Sequence, residues 1–245
     1  MPAFFIRADA VQDDRILLTG ELCHHLTASL RIKQGETVLL TDDRGRRYRT
    51  SVDQVAKSSL SLRIVAQAEA PPQQGPSLLL AQAILKGDHM DWVIQKAGEL
   101  GVASIIPLIA RHGVVRPRED RIAAQLARWQ RILTEAAQQS EQWRLPLIQE
   151  PVEARTFFAA PPTPYVMVLL ERHGGARLWD VPLPVEPVDL VAVAVGPEGG
   201  WAEEEIDAAQ RHGGQAIALG AQILRAETAA IAAVSILQCR VGRLG

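Results

Sequence analysis

The chain reads as an α/β protein: a parallel sheet layered with helices, preceded by a small β-rich unit. Three observations predict this. From residue 78 onward, short continuous apolar runs alternate with helical patterns, as strands covered on both faces of a parallel sheet do. The first seventy residues or so instead hold closely spaced strand-like runs parted by turn chemistry, the pattern of a small barrel. Between them lies the Pro- and Gly-rich stretch 70–76, which denies both helix and central strand. The boundary is therefore expected near residue 72, giving domains 1–72 and 73–245.

Composition narrows the class. The 245 residues are 47% hydrophobic and 22% charged, with aromatics at only 4%, so the core must rest on Leu, Ile, Val and Ala. A formal net charge of −2 lacks the basic footprint of a general nucleic-acid binder, so any RNA contact would come from a local patch. Cys23 and Cys239 have no C-x-x-C spacing, which suggests neither a disulfide framework nor zinc, and no metal is expected. No charged-then-apolar leader is evident and no apolar run approaches the ~20 residues that span a bilayer. The expectation is a cytoplasmic protein without a membrane partner.

In the first domain, strands are expected at 4–6, 15–18, 37–41, 47–52 and 59–66, with turns at 33–36 and 41–45. A helix at 21–31 would place Leu22, Leu26 and Leu30 on one face. Arg31, Lys33, Arg44, Arg46, Arg47 and Arg49 gather around two loops, diluted by Asp42 and Asp43. Such cations either neutralise RNA phosphates or form a solvated surface, and the pattern alone fits both. His24 and His25 are adjacent, so on a helix they do not face one direction.

In the second domain, a strand at 78–85 leads to a helix that Asp88 could cap, with Met90, Val93, Ile94, Ala97 and Leu100 on one face and Gly101 ending it. The next strand, 103–110, contains Pro107, an awkward guest for a central position. Residues 120–139 form the longest helical pattern, carrying Ile122, Leu126, Trp129, Leu133 and Ala136 on one side and Arg121, Arg128 and Arg131 on another. After the rigid link 161–164 come a strand at 165–170, a turn at 171–175, an irregular link at 182–187 and a strand at 190–195. A last helix, 226–241, is apolar on nearly every side, so it is either centrally buried or shared with a partner.

Two glycine-bearing turns, 196–200 and 219–225, follow strands of this sheet, where open α/β sheets place ligands. Glycine lets a backbone approach a ligand closely. Pro197 removes an N–H and turns Gly196 away from helix. Glu203, Glu204 and Glu205 occupy a first helical turn, where the macrodipole favours negative charge and a phosphate would compete. No dinucleotide or P-loop pattern is present. The turns suit a ligand that is not anchored by phosphate, or they are ordinary connections.

The strings GPEGGW (196–201) and LG-x-x-ILRAETAA (219–230) resemble the signature of the knotted SPOUT methyltransferases. They are most similar to the family that methylates uridine N3 in 16S ribosomal RNA. The stretches 24–36, 78–102 and 128–132 match the same family. The resemblance implies a PUA-like barrel, a C-terminal trefoil knot, a homodimer, S-adenosylmethionine as cofactor and the small ribosomal subunit as partner. Carried onto this chain, it implies cofactor contacts at Leu170, Gly196, Pro197, Gly199, Gly200, Leu219, Gly220, Ile223 and Leu224. RNA contacts fall to Arg31, Lys33, Arg46 and Arg47. The uridine imide must lose a proton, which requires a base or a charge-stabilising cation. Arg225, Glu227 and Glu198 are the candidates. Arginine is no base, so Arg225 would stabilise charge or grip phosphate. Glu227 could instead complement a helix terminus, and Glu198 could tie its own loop. Gln222 stands where the family usually has arginine. Another RNA acceptor (tRNA or a ribose 2′-oxygen) and a non-catalytic RNA-binding role are the alternatives.

Overall fold

The computed structural model describes residues 2–170, 175–186 and 189–245, so most of the expected turn 171–175 and the end of the link 182–187 lie outside the described residues. It divides into two compact units. One is the chain up to Pro72 together with Gln138–Leu145, and the other is Gln73–Ala137 with Pro146–Gly245.

The first unit is a six-stranded sheet of β1 (Ala3–Ile6), β2 (Val11–Gln12), β3 (Arg15–Thr19), β4 (Thr37–Asp42), β5 (Arg46–Val55) and β6 (Ser59–Glu69). The strand order is β1-β4-β5-β6-β3-β2, antiparallel except for β1 with β4. Alternation turns Ile16, Leu18, Leu40, Leu60 and Leu62 into one core. Register shifts at Arg49/Thr50 and Val52/Gln54 bend the long β5–β6 ribbon. The expected helix at 21–31 is shorter. Helix α1 (Gly20–His24) passes into a π-helical turn, His25–Ser29. Cys23 in α1 and Leu26 in the wider turn are buried, while Leu30, just past that turn, is 51% exposed.

Asp42, in the 41–45 turn, is buried and organises it. Its carboxylate accepts the backbone N–H groups of Arg44 and Arg46 at 3.0 and 2.8 Å and the Tyr48 hydroxyl at 2.9 Å. Burial, reinforced by that carboxylate, pushes the Tyr48 phenol up from its ordinary value. Arg47 fastens Gln138–Leu145 to this sheet. Its guanidinium donates to the carbonyls of Glu141 and Gln142, both at 2.8 Å, and to Thr41 Oγ1 at 3.0 Å. It also lies 3.9 Å from the centre of the Trp143 ring, a cation–π contact.

The second unit holds β7 (Ser77–Ala83), α2 (His89–Glu99), β8 (Ser104–Ile109), most of α3 (Glu119–Gln139), β9 (Leu147–Ile148), β10 (Val152–Glu153) and α4 (Ala154–Ala159). It continues with β11 (Tyr165–Leu169), β12 (Ala176–Arg177), β13 (Leu190–Val195), α5 (Glu203–Arg211), β14 (Gln215–Ala218) and α6 (Ala226–Arg240). The strands pair in parallel in the order β10-β8-β7-β13-β11-β14-β12, with β9 also beside β8. Both faces are covered. Val191, Val193 and Val195 join Met90, Ile94, Trp129 and Leu237 on one side, while Ala192 and Ala194 meet Phe158, Trp201 and Ala208 on the other. This is why the strands read as unbroken apolar runs.

Pro107 is accommodated by a break in the sheet edge. β9 pairs with β8 at Ser104 and Ile105, and β10 at Leu108 and Ile109. The Ile105 carbonyl accepts from Gln149 on that side. Alternation points Pro107 the same way, into the interval between the two short strands, where no N–H is required.

Helix α6 is covered largely by its own chain. Ala230, Ala233, Val234 and Leu237 are fully buried, and the helix packs on α2, β7 and β13. Its end is fastened by side chains. Gln238 donates to the carbonyls of Leu100 and Gly101. Arg240 donates to those of Leu178 and Val181, at 2.7 and 2.5 Å. Just beyond the helix, Arg243 donates to the carbonyls of Gln74, Gly75 and Pro76, at 2.8 to 2.9 Å. Among the described residues no helix is long and apolar enough to cross a membrane.

Candidate active site

Strands β13, β11 and β14 are neighbours, so the segments beyond their carboxyl ends converge at one edge of the sheet. The turn after β13 closes through Gly200 N–H donating to the Pro197 carbonyl at 2.9 Å, with Gly200 at φ 70°. The next residue, Trp201, donates from its indole to the Leu169 carbonyl at 3.1 Å, joining this turn to the end of β11. Its ring meets Phe158 edge-on at 5.2 Å. A Cβ on Gly196 would lie 3.3 Å from that indole, so the glycine permits the close approach.

Glu205 braces the turn from beneath. It is 3% exposed and accepts two backbone N–H groups at 2.8 Å, those of Ala202 and Arg111. The 111–113 loop is thereby held against the turn. A Cβ on Gly199 would sit 3.1 Å from His112 Cβ. The second turn has no comparable brace among the described residues. Gly220 has φ 149°, and Gln222, Ile223 and Arg225 are exposed, Ile223 at 62%.

Between the two turns lies a cavity of about 340 Å³. All nine residues nominated as cofactor contacts line it: Leu170, Gly196, Pro197, Gly199, Gly200, Leu219, Gly220, Ile223 and Leu224. Sequence reasoning missed Leu169, Val195, Trp201, Ile206, Gln222, Ala226 and Ala229 in this role. Two signals could have found some of them: Trp201 directly follows the first turn, and Ala226 and Ala229 are three apart on one helical face. None of the described lining side chains is charged.

A second, shallower cavity of about 710 Å³ is lined by Lys86, Gly87, Asp88, His89, Trp92, Glu198, Glu227 and Thr228. Two of the nominated catalytic residues, Glu198 and Glu227, therefore come together here. Glu227 is 14% exposed and pairs with His89, Oε1 to Nδ1, at 3.1 Å. Arg225 lines neither cavity. It is exposed at the N-terminal cap of α6, where its carbonyl accepts from the Ala229 N–H at 2.8 Å.

The nominated RNA contacts separate likewise. Arg31, at φ 52°, and Lys33 are exposed, and so is Arg46, which pairs with Glu69 at 3.6 Å. Arg47 differs: its guanidinium is half-buried against Trp143 and two carbonyls, and burial lowers its pKa from the ordinary arginine value. It acts as a structural tie in the first unit.

Comparison with known proteins agrees with this architecture. Residues 73–238 match the RNA methyltransferase domain family, and residues 18–65 match the RNA methyltransferase PUA domain. Ribosomal RNA small subunit methyltransferase E of Synechocystis is 31% identical, covering 94% of this chain and 75% of the relative. A solved structure of ribosomal RNA small subunit methyltransferase E from Neisseria gonorrhoeae, bound to S-adenosyl methionine, is 30% identical, with a TM-score of 0.86 over 98% of both chains. A methyltransferase from Legionella pneumophila, solved with the cofactor SAM, is 32% identical, with a TM-score of 0.87 over 97% of both chains. With both domain types matched and the resemblance running through nearly the whole chain, this protein belongs to the ribosomal RNA small subunit methyltransferase E family.

Proposed function

We propose that the chain methylates N3 of a uridine in 16S ribosomal RNA, using S-adenosylmethionine. The observation that carries this reading is the uncharged cavity between the two glycine-bearing turns. Its volume, about 340 Å³, is in the range of small-molecule sites. Leu169, Leu219 and Leu224 offer an apolar slot, and the glycine-rich backbone offers donors and acceptors for a neutral purine edge. The cofactor fits such a lining, and the nine nominated residues would hold it. Once bound, it supplies an electrophilic methyl carbon on a sulfonium.

The chain's own residues do the rest. Glu227, on the far side of the second turn, is the proton acceptor for the uridine imide, and Glu198 shares its cavity. Arg225, exposed at the head of α6, grips RNA phosphate. Residues 1–72, joined by the 138–145 segment, form the RNA-holding domain and the rest of 73–245 the methyltransferase domain. Arg31, Lys33 and Arg46 add salt-dependent affinity for the phosphate backbone of the small ribosomal subunit. The C-terminal segment forms the family's trefoil knot. The knot follows from the family alone; Arg240 and Gln238 tie α6 to the 178–181 segment and to the end of α2. Two copies associate, as the family resemblance implies; on α6, half-buried Ile231 is an apolar residue left partly open by the chain's own packing.

Calorimetric titration with S-adenosylmethionine tests the cavity. Mass analysis of 16S rRNA from a deletion strain, with and without the gene restored, tests the acceptor. Loss of N3-methyluridine on deletion and its return on complementation is the expected result; an unchanged nucleoside profile overturns it.

A further inference from the structure

The two cavities share walls. Within the first turn, Gly196, Pro197, Gly199 and Gly200 line the cofactor cavity, while Glu198 lines the other. At the start of α6, Ala226 and Ala229 line the cofactor cavity, while Glu227 and Thr228 line the other. The remaining wall of the second cavity comes from the loop after β7 and the start of α2, and β7 pairs directly with β13 in parallel register. The second cavity thus abuts the first across two thin peptide segments, and its chemistry is the opposite. It carries an aromatic ring, a cation and three carboxylates, where the first carries backbone and apolar groups.

We propose that this second cavity is the acceptor-base pocket, in which Trp92 stacks on the target uracil and His89 positions the Glu227 carboxylate toward its N3–H. The inference rests on the uridine reading above and adds to it the site, its stacking residue and its positioning residue. Trp92 is 43% exposed in the first turns of α2 and lines the same cavity as Glu227, so its ring face is open to a ligand there. A base taken out of its stack must regain a partner, and an aromatic face supplies one. The His89–Glu227 pair fixes the acid. With Nδ1–H donated to Oε1, the carboxylate keeps its other oxygen for the imide proton. The balance closes. The N3 proton passes to Glu227, the electron pair left on N3 forms the bond to the methyl carbon, and the carbon–sulfur pair leaves with the thioether sulfur.

Full-length protein provides the test, with uridine 5′-monophosphate as the binding probe followed by saturation-transfer NMR. Small subunits lacking the modification serve as methyl acceptors. Trp92→Ala should weaken uridine monophosphate binding and raise KM for the subunit by about tenfold, the scale of one lost stacking contact, while Trp92→Phe restores both. His89→Ala should lower kcat by about tenfold or more at unchanged KM, and His89→Asn, which keeps a donor near the Nδ1 position, should recover most of it. Affinity for S-adenosylmethionine should stay within about twofold throughout, since neither side chain lines its cavity. Wild-type behaviour of Trp92→Ala overturns the pocket while the wild-type protein still makes N3-methyluridine. Dissociation of the Trp92→Ala protein into monomers overturns it too, by assigning the indole to a subunit interface. If wild-type protein makes no N3-methyluridine, the parent reading fails and the pocket falls with it.

Discussion

The two turns that bound the proposed cofactor cavity are built by different means. The turn at 196–200 is locked from three directions: Trp201 reaches the end of β11, Glu205 gathers the backbone of Ala202 and Arg111, and His112 closes on Gly199. The turn at 219–225 leaves Gly220, Ala221, Gln222, Ile223 and Arg225 exposed. In the reading proposed above, the fixed wall would orient the ligand and the open wall would be the one free to adjust around it. Substitutions in the fixed wall should therefore cost folding stability and binding together, whereas those in the open wall should cost binding alone.

The largest expected effect is at Trp201. Trp201→Ala removes a buried ring and the bond to Leu169, and should destabilise the second unit by about 3–5 kcal/mol in chemical unfolding. Cofactor binding should fall with it. A Trp201→Ala protein of normal stability would mean that this wall is not held as described. Glu205→Ala comes next. It strips the shared acceptor from two backbone N–H groups, which water can partly re-satisfy, for a total cost of about 1.5–3 kcal/mol. The expected signature is lost stability with increased amide exchange at Ala202 and Arg111 together.

That pairing also marks where sequence reading ends. Strand 190–195, the glycine turns and helix 226–240 were legible because their signals are local: an apolar run bounded by turn residues, and an alanine-rich helical pattern. Glu205 read only as one of three acidic residues in a first helical turn, because its second partner, Arg111, lies 94 positions away. Arg47 read as an exposed cation for the same reason, since Trp143 and the carbonyls it holds are distant in the chain. Leu30 failed differently: a π-helical turn breaks the four-residue spacing that assigned it to the buried face. The nine nominated cofactor contacts came from resemblance, and spacing alone did not separate them from an ordinary connection.

On the open wall, Gly220→Ala isolates backbone conformation from packing. The glycine has φ 149°, and the nearest atom to an added Cβ is the end of the Gln222 side chain at 3.7 Å. Strain should cost about 1 kcal/mol, with no clash to relieve. Because the turn moves while the core does not, affinity for S-adenosylmethionine should drop severalfold with only a small change in unfolding midpoint. Equal losses in the two measurements would erase the distinction between the walls.

The smallest effect on folding is expected at Gln222, which lines the cofactor cavity yet is exposed. Gln222→Arg introduces the charge that the resemblance implies at this position. An exposed position away from any cap or core contact tolerates exchange within about 0.5 kcal/mol. The cavity's described lining is otherwise uncharged, so a new cation there gains nothing from a cationic sulfonium and should turn outward to solvent or RNA. Cofactor affinity should hold or weaken slightly, while the salt dependence of RNA binding should steepen by about one counterion's worth, a slope change near 0.7–0.9 in log K against log salt. An unchanged slope with a large loss of cofactor affinity would show the arginine pointing inward. The open turn would then grip the cofactor as firmly as the braced turn does, and the contrast between the two walls would be lost.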